Sequence, residues 1–217
     1  MSVLTIERKV LEKNDTIAAS LRELFKSHQI FSINLVSSPG SGKTSLVEKT
    51  VEYCRDKIKI AVIEGDIQTD LDAQRIDAVG VPVVQIVTHG ACHLEANLVN
   101  DSVKQLDLSR VEFMIIENVG NLVCPSGYDL GEDHKVVIVS TTEGDDKPLK
   151  YPAMFRNATV LIINKIDLSP YLNTSVEVLE KNALSINPDL KVYKTSCTTG
   201  EGIPEWCDWI LSNVHKK

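Results

Sequence analysis

"SSPGSGKTS", residues 37–45, joins an apolar run, "FSINLV", to a stretch with helical spacing, "SLVEKTVEYCRDK". A strand, a glycine-rich loop and a helix in this order are typical of a loop that binds phosphate. Glycines allow consecutive backbone N–H groups to face an anion, and the dipole of the following helix adds attraction. We expect Lys43 to reach the β and γ phosphates of a nucleotide and Thr44 to offer its hydroxyl to Mg²⁺. The other phosphate-binding candidates in the loop are Gly40, Ser41, Gly42 and Ser45.

Seven apolar runs with the composition of β-strands recur along the chain, separated by segments with helical spacing or helix caps. They occupy residues 30–37, 58–64, 81–87, 111–118, 135–141, 158–164 and 190–196. Strands that alternate with helices, several of them continuously apolar, predict a mostly parallel sheet with helices on both faces. Together with the phosphate loop, the pattern predicts an α/β P-loop NTPase fold, with residues 1–217 as a single domain. In such folds ligands bind at the carboxyl ends of the strands.

A helix is predicted ahead of the first strand, over residues 14–28, with Asn14 or Asp15 as its N-cap. Its apolar residues recur at helical spacing, so they should share one face and point towards the core. They are Ile17, Leu21, Leu24 and Phe25.

Composition limits the classes of partner. Thirty acidic residues against 23 basic ones give a net charge of −7, and the chain has no basic block that could follow a nucleic-acid backbone. Its first residues lack the apolar core of a signal peptide, and no apolar run reaches the roughly 18 residues of a membrane span. Five cysteines without a Cys-x-x-Cys pair indicate reduced thiols. We therefore expect a cytoplasmic protein that binds neither nucleic acid nor membrane.

The segment "VLIINKIDLS" ends a predicted strand in Asn164, Lys165, Ile166 and Asp167, the arrangement by which GTPases bind guanine. A carboxylate at Asp167 can accept from the N1–H and the 2-amino group of guanine, whereas adenine offers neither donor there. The later stretch "YKTSCTTGEG" resembles the last guanine-side loop of GTPases, with Ser196 and Cys197 beside the base. The alternatives are a helix cap at Asp167 and an ordinary strand-to-helix turn at residues 193–202.

Acidic residues follow two other predicted strands. Glu117 ends "FMIIE", where a carboxylate can organise the magnesium shell or a water, and Gly120 could bring a backbone N–H to the γ phosphate. Asp66 ends "IAVIEGD" and is the second candidate near magnesium; Asp70 and Asp72 lie just downstream. For Asp72 an exposed position on a helix is an equally good interpretation.

Cys92 and His93 stand side by side in "GACHLEANLVN". A thiolate and an imidazole suit nickel or zinc, but adjacent side chains diverge on a regular helix, so we expect these two at a loop-to-helix junction. Cys124 is the best candidate for a third ligand. Three protein ligands leave a tetrahedral site incomplete, so water or a second subunit must complete it. From spacing alone, a buried cysteine and a helix-capping histidine remain an open alternative.

The remaining cysteines and histidines fit the metal pattern less well. Cys54 and Cys207 lie in helical patterns and are predicted core residues. His89 and His134 are possible outer groups of the metal site.

Seven motifs, in this order, resemble the hydrogenase maturation factor HypB family: "SSPGSGKT", "EGD", "HGACHLEA", "IENVGNLVCP", "DLGED", "TEGDDKPLKYP" and "NKIDL". The resemblance covers roughly residues 30–200. It implies a GTPase of the SIMIBI type that uses GTP and Mg²⁺ and assists nickel insertion into [NiFe] hydrogenase. It also implies that Cys92, His93 and Cys124 bind nickel or zinc at a GTP-dependent homodimer interface, with Lys147 near the nucleotide and the partner subunit. The implied partners are the hydrogenase large subunit and the HypA-type nickel chaperone.

The sequence therefore predicts hydrolysis of GTP to GDP and phosphate, with Lys43, Thr44, Asp66, Glu117 and Gly120 at the reacting phosphate. Three alternatives differ in class. A urease nickel-delivery GTPase would resemble a Cys-Pro-His pattern rather than Cys-His. A P-loop kinase would leave "NKID" unexplained. A metal-binding module, whose nucleotide only locks a dimer, would bind GTP without cleaving it.

Overall fold

The computed structural model describes residues 4–68 and 71–217, with side chains from residue 10 onward. Seven strands form one sheet in the order β3-β2-β4-β1-β5-β6-β7, and every neighbouring pair is parallel. The strands are β1 Phe31–Ser37, β2 Ile60–Asp66, β3 Val83–Val87, β4 Phe113–Glu117, β5 His134–Ser140, β6 Val160–Asn164 and β7 Lys191–Lys194. Each of the seven predicted strands is confirmed, and the sheet is wholly parallel.

Eight α-helices connect and cover the strands in the described part of the chain. They are α1 Leu4–Ser27, α2 Lys43–Cys54, α3 Leu71–Ala78, α4 Ala96–Val103, α5 Lys147–Lys150, α6 Pro152–Asn157, α7 Val176–Ile186 and α8 Ile203–Val214. Short 3₁₀ turns lie at Leu108–Arg110, Cys124–Gly127, Thr141–Glu143 and Ile166–Tyr171. No helix among the described residues combines the length and the apolar character needed to cross a bilayer.

Apolar side chains are buried on both faces of the sheet. On one face α2 and α8 pack against alternate strand residues such as Ile33 and Ile115, with Trp206 as the largest buried side chain. On the other face α1 and α4 pack against Ile63 and Ile116, and α6 and α7 cover the later strands. Because every inner strand is covered twice, its sequence is apolar at consecutive positions.

The first helix differs from its prediction. It begins at Leu4 rather than at residue 14, so Asn14 is not a cap but lies within the helix, 4% exposed. An asparagine is tolerated there because its amide forms tertiary hydrogen bonds, to the Ala96 N–H and the Asp129 carbonyl. The predicted apolar face is confirmed, since Leu21 and Phe25 are buried.

The strand order places functional segments together at one edge. β4 lies between β2 and β1, so the residues that end or follow these three strands meet at the carboxyl end of the sheet. They are the phosphate loop after β1, together with Asp66, the last residue of β2, and the segment that starts at Glu117, the last residue of β4.

Candidate functional site

Two glycines give the loop between β1 and α2 its shape. Gly40 has φ 77° and Gly42 has φ 94°, values that favour glycine. A Cβ at Gly42 would also lie 2.5 Å from Nδ2 of Asn164. The loop borders a cavity of about 480 Å³. Of the predicted residues, the cavity lining includes Gly40, Ser41, Gly42, Lys43, Thr44, Ser45, Asp66, Gly120 and Lys165.

Glu117 lies directly behind the start of α2 and is fully buried. Its Oε1 accepts hydrogen bonds from the Thr44 hydroxyl at 2.8 Å and from Lys43 Nζ at 3.2 Å. Its Oε2 has no hydrogen-bond partner in the part of the chain that the structure describes. The carboxylate is thus joined to the two phosphate-loop residues that were predicted to contact phosphate and magnesium.

Glu64 is a buried acid that the sequence reasoning missed. It lies opposite Glu117 in the β2–β4 register, lines the cavity and is 2% exposed. Burial, and then the charge of Glu117, raise the pKa of Glu64 to about 8. One carboxylate oxygen each of Glu64, Asp66 and Asp72 lies within 4.8 Å of the others. Asp70 is outside the described residues.

The donors around the cavity fit magnesium. The ion prefers oxygen ligands, and Thr44 and Asp66 present a hydroxyl and a carboxylate to the cavity. Buried carboxylate oxygens at Glu64 and Glu117 lack hydrogen-bond partners within residues 10–68 and 71–217, as expected where a cation or its water shell belongs. Arg75 limits the acidic charge, because it pairs with Glu48 and Asp72.

The predicted guanine segment is tied to the phosphate loop. Asn164 Nδ2 donates to the Ser41 carbonyl at 2.9 Å, and Lys165 Nζ donates to the Gly40 carbonyl at 2.6 Å. Lys165 has a left-handed backbone, φ 60°, which turns the chain from β6 into the 3₁₀ turn carrying Asp167.

The predicted last guanine-side loop follows β7 and contacts the guanine segment. Cys197 Sγ and Asn164 Oδ1 are 3.6 Å apart, and Thr195 donates to the same oxygen at 3.1 Å. Ser196 is buried and accepts from the Thr199 N–H, which fixes the turn. Asn164 therefore links this loop to the phosphate loop.

Lys147 opens α5 on the other side of the phosphate loop. Its Nζ donates to the Ser38 hydroxyl at 3.2 Å and lies 3.5 Å from Glu143 Oε2. Glu143 in turn accepts from the Ser41 hydroxyl at 2.7 Å. A second cavity of about 430 Å³ lies here, and Ser38, Gly120, Val123 and Lys147 are among its lining residues.

Gly120 lies against the phosphate loop. A Cβ at this position would lie 3.2 Å from the backbone N and Cα of Pro39. The segment after β4 therefore touches the phosphate loop before it continues to Cys124.

Cys92, His93 and Cys124 are brought together at the end of that segment. Their ligand atoms all lie within 4.8 Å of one another, and Cys92 Sγ is 3.7 Å from His93 Nδ1. Cys92 and His93 are in the loop between β3 and α4, and Cys124 begins a 3₁₀ turn. All three side chains are partly exposed, so an ion can reach them.

The imidazole of His93 is held in a defined environment. Its ring packs on Tyr128 with centroids 4.1 Å apart, and Nε2 lies 3.9 Å from a carboxylate oxygen of Glu95. Burial lowers the pKa of His93, which favours the neutral form that binds metals. The neighbouring Cys124 thiol, with burial, raises the pKa of Cys92. Binding of an ion must therefore displace a proton from Cys92.

The other cysteines and histidines are elsewhere. Cys54 and Cys207 are fully buried, as predicted, in the cluster between α2 and α8. His134 begins β5 and packs edge-on against Phe31 and Trp209, so its prediction as an outer group of the metal site is wrong. His89 is exposed, and it is absent from the cluster of ligand atoms that the described residues form.

A phosphate loop at the centre of a parallel sheet, with carboxylates at the ends of the flanking strands, defines a P-loop nucleotide-binding protein. The family model described as "CobW/HypB/UreG, nucleotide-binding domain" matches residues 31–194. Within that family the chain belongs to the hydrogenase maturation factors HypB.

Similar proteins agree on this assignment. Hydrogenase maturation factor HypB of Azotobacter vinelandii is 52% identical over 208 residues, 96% of this chain and 69% of that protein. The crystal structure of HypB from Helicobacter pylori in complex with nickel is 38% identical, with TM-score 0.89 over 94% of this chain and 96% of that one. The signal recognition particle 54 kDa protein from Aeropyrum pernix shares the SIMIBI-type fold and shows likeness of fold alone. It has TM-score 0.60 at 14% identity, covering 91% of this chain and 51% of that one.

Proposed function

We propose that this chain is a GTP-hydrolysing metallochaperone that assists nickel insertion into the large subunit of [NiFe] hydrogenase. One observation carries the proposal. The segment after β4 contacts the phosphate loop through Glu117 and Gly120 and, four residues further, supplies Cys124 to the cluster with Cys92 and His93. A change at the γ phosphate can therefore act on a metal ligand through a few residues of backbone.

Nucleotide binding follows from the two loops that Asn164 connects. The backbone N–H groups of residues 40–44 and Lys43 would hold the phosphates, while Asp167 would accept from the N1–H and 2-amino groups of guanine. Ser196 and Cys197 would border the base. Lys147, whose Nζ is 3.2 Å from the Ser38 hydroxyl, would contact a phosphate oxygen or the partner subunit.

Hydrolysis places water in line with the γ phosphate. Lys43 would stabilise the charge that develops on the phosphate oxygens, and the Gly120 N–H would donate to the γ phosphate. Thr44 and Asp66, with Glu117 behind Thr44, would hold magnesium, which would supply positive charge to offset the charge of the phosphates. Nucleotide must compete with Glu117 for Lys43, because the same ammonium serves both.

Nickel is the cargo, and the three donors suit it or zinc. Two thiols and one imidazole are soft and intermediate ligands, and one further donor, from water or from a second copy of the chain, would complete four-fold coordination. We propose a homodimer in which two such sets meet. The HypB structure from Helicobacter pylori was solved in complex with nickel, which supports nickel as the cargo.

Transfer of the metal requires that GTP and GDP favour different states. GTP would favour the dimer and one metal affinity, and GDP another, since a nucleotide can shift an equilibrium only by its differential affinity. The hydrogenase large subunit would receive nickel, and a HypA-type chaperone would exchange it with this protein. Both partners are proposed from the family.

The test is nickel and zinc affinity with GDP and with a non-hydrolysable GTP analogue, with oligomeric state followed by light scattering. Wild type should change both its metal affinity and its mass with nucleotide. Cys124→Ala should lose the metal, whereas Cys54→Ala, a matched thiol variant within the core, should keep it. Metal affinity that is the same with both nucleotides, or wild-type metal affinity in Cys124→Ala, would refute the proposed coupling between nucleotide and metal.

A further inference from the structure

Asn14 is a buried polar residue in the middle of α1, outside the range that the family model matches. Its Oδ1 accepts from the Ala96 N–H at 2.8 Å, and its Nδ2 donates to the Asp129 carbonyl, also at 2.8 Å. Both ends of one side-chain amide are therefore used, and both partners are backbone groups distant in sequence.

The two partners belong to the two loops that carry the metal ligands. Ala96 is the first residue of α4 and follows His93 by three positions. Asp129 directly follows Tyr128, whose ring packs on His93, and comes five positions after Cys124. One amide of α1 thus connects the Cys92–His93 loop to the Cys124 loop.

Further contacts hold α1 to the second loop. Arg22 Nη2 lies 2.7 Å from both carboxylate oxygens of Asp129. Gly131, with φ 84°, lies so close to the helix that a Cβ there would be 2.7 Å from the Cβ of Leu21 and 2.9 Å from the Ala18 carbonyl. The distance between α1 and residues 129–131 is therefore closely fixed.

The first loop is held from the sheet as well. Asn118, 1% exposed, accepts from the Leu94 N–H at 3.0 Å. Leu94 in turn packs so tightly on Gly65 that a Cβ there would lie 2.8 Å from its methyl carbons. Leu94, the residue after His93, is thus held by Asn118, directly after β4, and by Gly65 in β2. Asn14 then fixes the position of the second loop relative to Leu94.

Fixing both loops matters for affinity because three donors on two separate loops must otherwise be ordered when the ion binds. Groups that orient ligands from outside the coordination shell change metal affinity without touching the ion. We propose that α1 positions the metal ligands, with Asn14 as the positioning residue and Arg22 as a second tie. This inference rests on the proposed metal site at Cys92, His93 and Cys124.

The test measures Ni²⁺ affinity of the nucleotide-free full chain by competition with a chromophoric chelator, together with the thiolate-to-nickel absorption band. Asn14→Ala and the isosteric Asn14→Asp should both bind Ni²⁺ about 10-fold or more weakly than wild type. In Asn14→Asp the acceptor for Ala96 is kept and the donor to Asp129 is lost. Arg22→Gln, at a half-exposed position, should weaken binding several-fold.

Two controls separate positioning from stability. Ser20→Ala changes an exposed α1 residue whose hydroxyl donates to the Thr16 carbonyl of the same helix, and should bind as wild type. Thr50→Val removes a buried hydrogen bond from the Trp206 indole on the opposite face, so it should lower the unfolding midpoint and leave Ni²⁺ affinity unchanged.

The outcomes are distinguishable. Wild-type affinity in the folded Asn14 variants, or in Arg22→Gln if neither Asn14 variant folds, would overturn the role of α1. An equal loss of affinity in Thr50→Val would do the same, because the effect would then follow stability. Cys124→Ala serves as the reference: if it binds Ni²⁺ as wild type does, the proposed metal site fails and the inference fails with it.

Discussion

The Thr44 hydroxyl donates a 2.8 Å hydrogen bond to Oε1 of Glu117, and so joins the first turn of α2 to the end of β4. Lys43 donates to the same oxygen at 3.2 Å. A nucleotide that draws Lys43 to its phosphates must change the hydrogen bonding of Glu117. Because the segment that starts at Glu117 continues to Cys124, we propose that this carboxylate is the first group through which nucleotide state affects the proposed metal ligands.

Replacement of Glu117 by glutamine should separate binding from hydrolysis. The amide oxygen can still accept from Thr44, but it has no charge with which to orient Lys43 or the magnesium shell. We expect kcat for GTP to fall about 100-fold or more, with GTP affinity changed only a few-fold. Glu52→Gln, an exposed glutamate of α2 paired with Lys49, is the control. Hydrolysis within three-fold of wild type in Glu117→Gln would contradict the role.

Asp167→Asn should change base specificity. The side-chain amide can donate but cannot accept from the N1–H and 2-amino group together, and its N–H matches the 2-oxo group of xanthine. We expect GTP affinity to fall by about two orders of magnitude or more, with affinity for xanthosine triphosphate rising. Fluorescent-nucleotide titration measures both. Asp189→Asn, an exposed aspartate in a turn, should keep guanine preference; retained preference in Asp167→Asn would remove this residue from the base site.

Features determined by local pattern were predictable from the sequence. The strands are continuously apolar because both faces of the sheet are covered, and the phosphate loop keeps its glycines because the backbone there is left-handed. Cys92, His93 and Cys124 stood out because thiols and imidazoles are chemically distinctive. A short stretch carries the information for the strands and the phosphate loop, whereas the three metal-ligand candidates come from two segments and are suggested by residue type.

Features determined by distant contacts were not predictable. Asn14 resembles an N-cap, but its partners lie 82 and 115 residues away in sequence. Glu64 looks like the ordinary polar end of an apolar strand, and only the β2–β4 register places it opposite Glu117. The packing of Tyr128 on His93 likewise depends on how two loops meet. The contacts of these residues depend on which distant segments the fold brings together, and residue type alone does not identify them.

Gly202→Ala should destabilise the start of α8. Gly202 has φ 72°, and a Cβ there would collide with the Lys194 carbonyl oxygen. We expect the free energy of unfolding to fall by about 3 kcal/mol, measured by urea denaturation. Gly127→Ala is the matched control, because it has no atom within 4 Å of the new Cβ among the described residues, and it should stay within about 0.5 kcal/mol of wild type. Equal midpoints for the two variants would show that the chain at Gly202 relaxes without cost.

The raised pKa of Glu64 predicts a pH-dependent stability in the absence of nucleotide and metal. Burial, and next the charge of Glu117, raise this pKa from an ordinary 4.5 to about 8 in the folded chain. Because the folded value is the higher one, the contribution of Glu64 is fully present below about pH 4.5 and is lost as the pH rises to about 8. The unfolding free energy of wild type should therefore decline relative to that of Glu64→Gln, by at most about 1.4 kcal/mol per pH unit.

Urea midpoints of wild type and Glu64→Gln between pH 5 and pH 8, in the presence of a chelator, measure this decline directly. Glu64→Gln has no proton to lose at this position. The difference between its urea midpoint and that of wild type should therefore shift in favour of the variant as the pH rises, and stop changing above about pH 8. Glu205→Gln replaces an exposed glutamate at the start of α8, and its curve should run parallel to that of wild type. If the Glu64→Gln curve is parallel as well, burial does not raise the pKa of Glu64 in the folded chain.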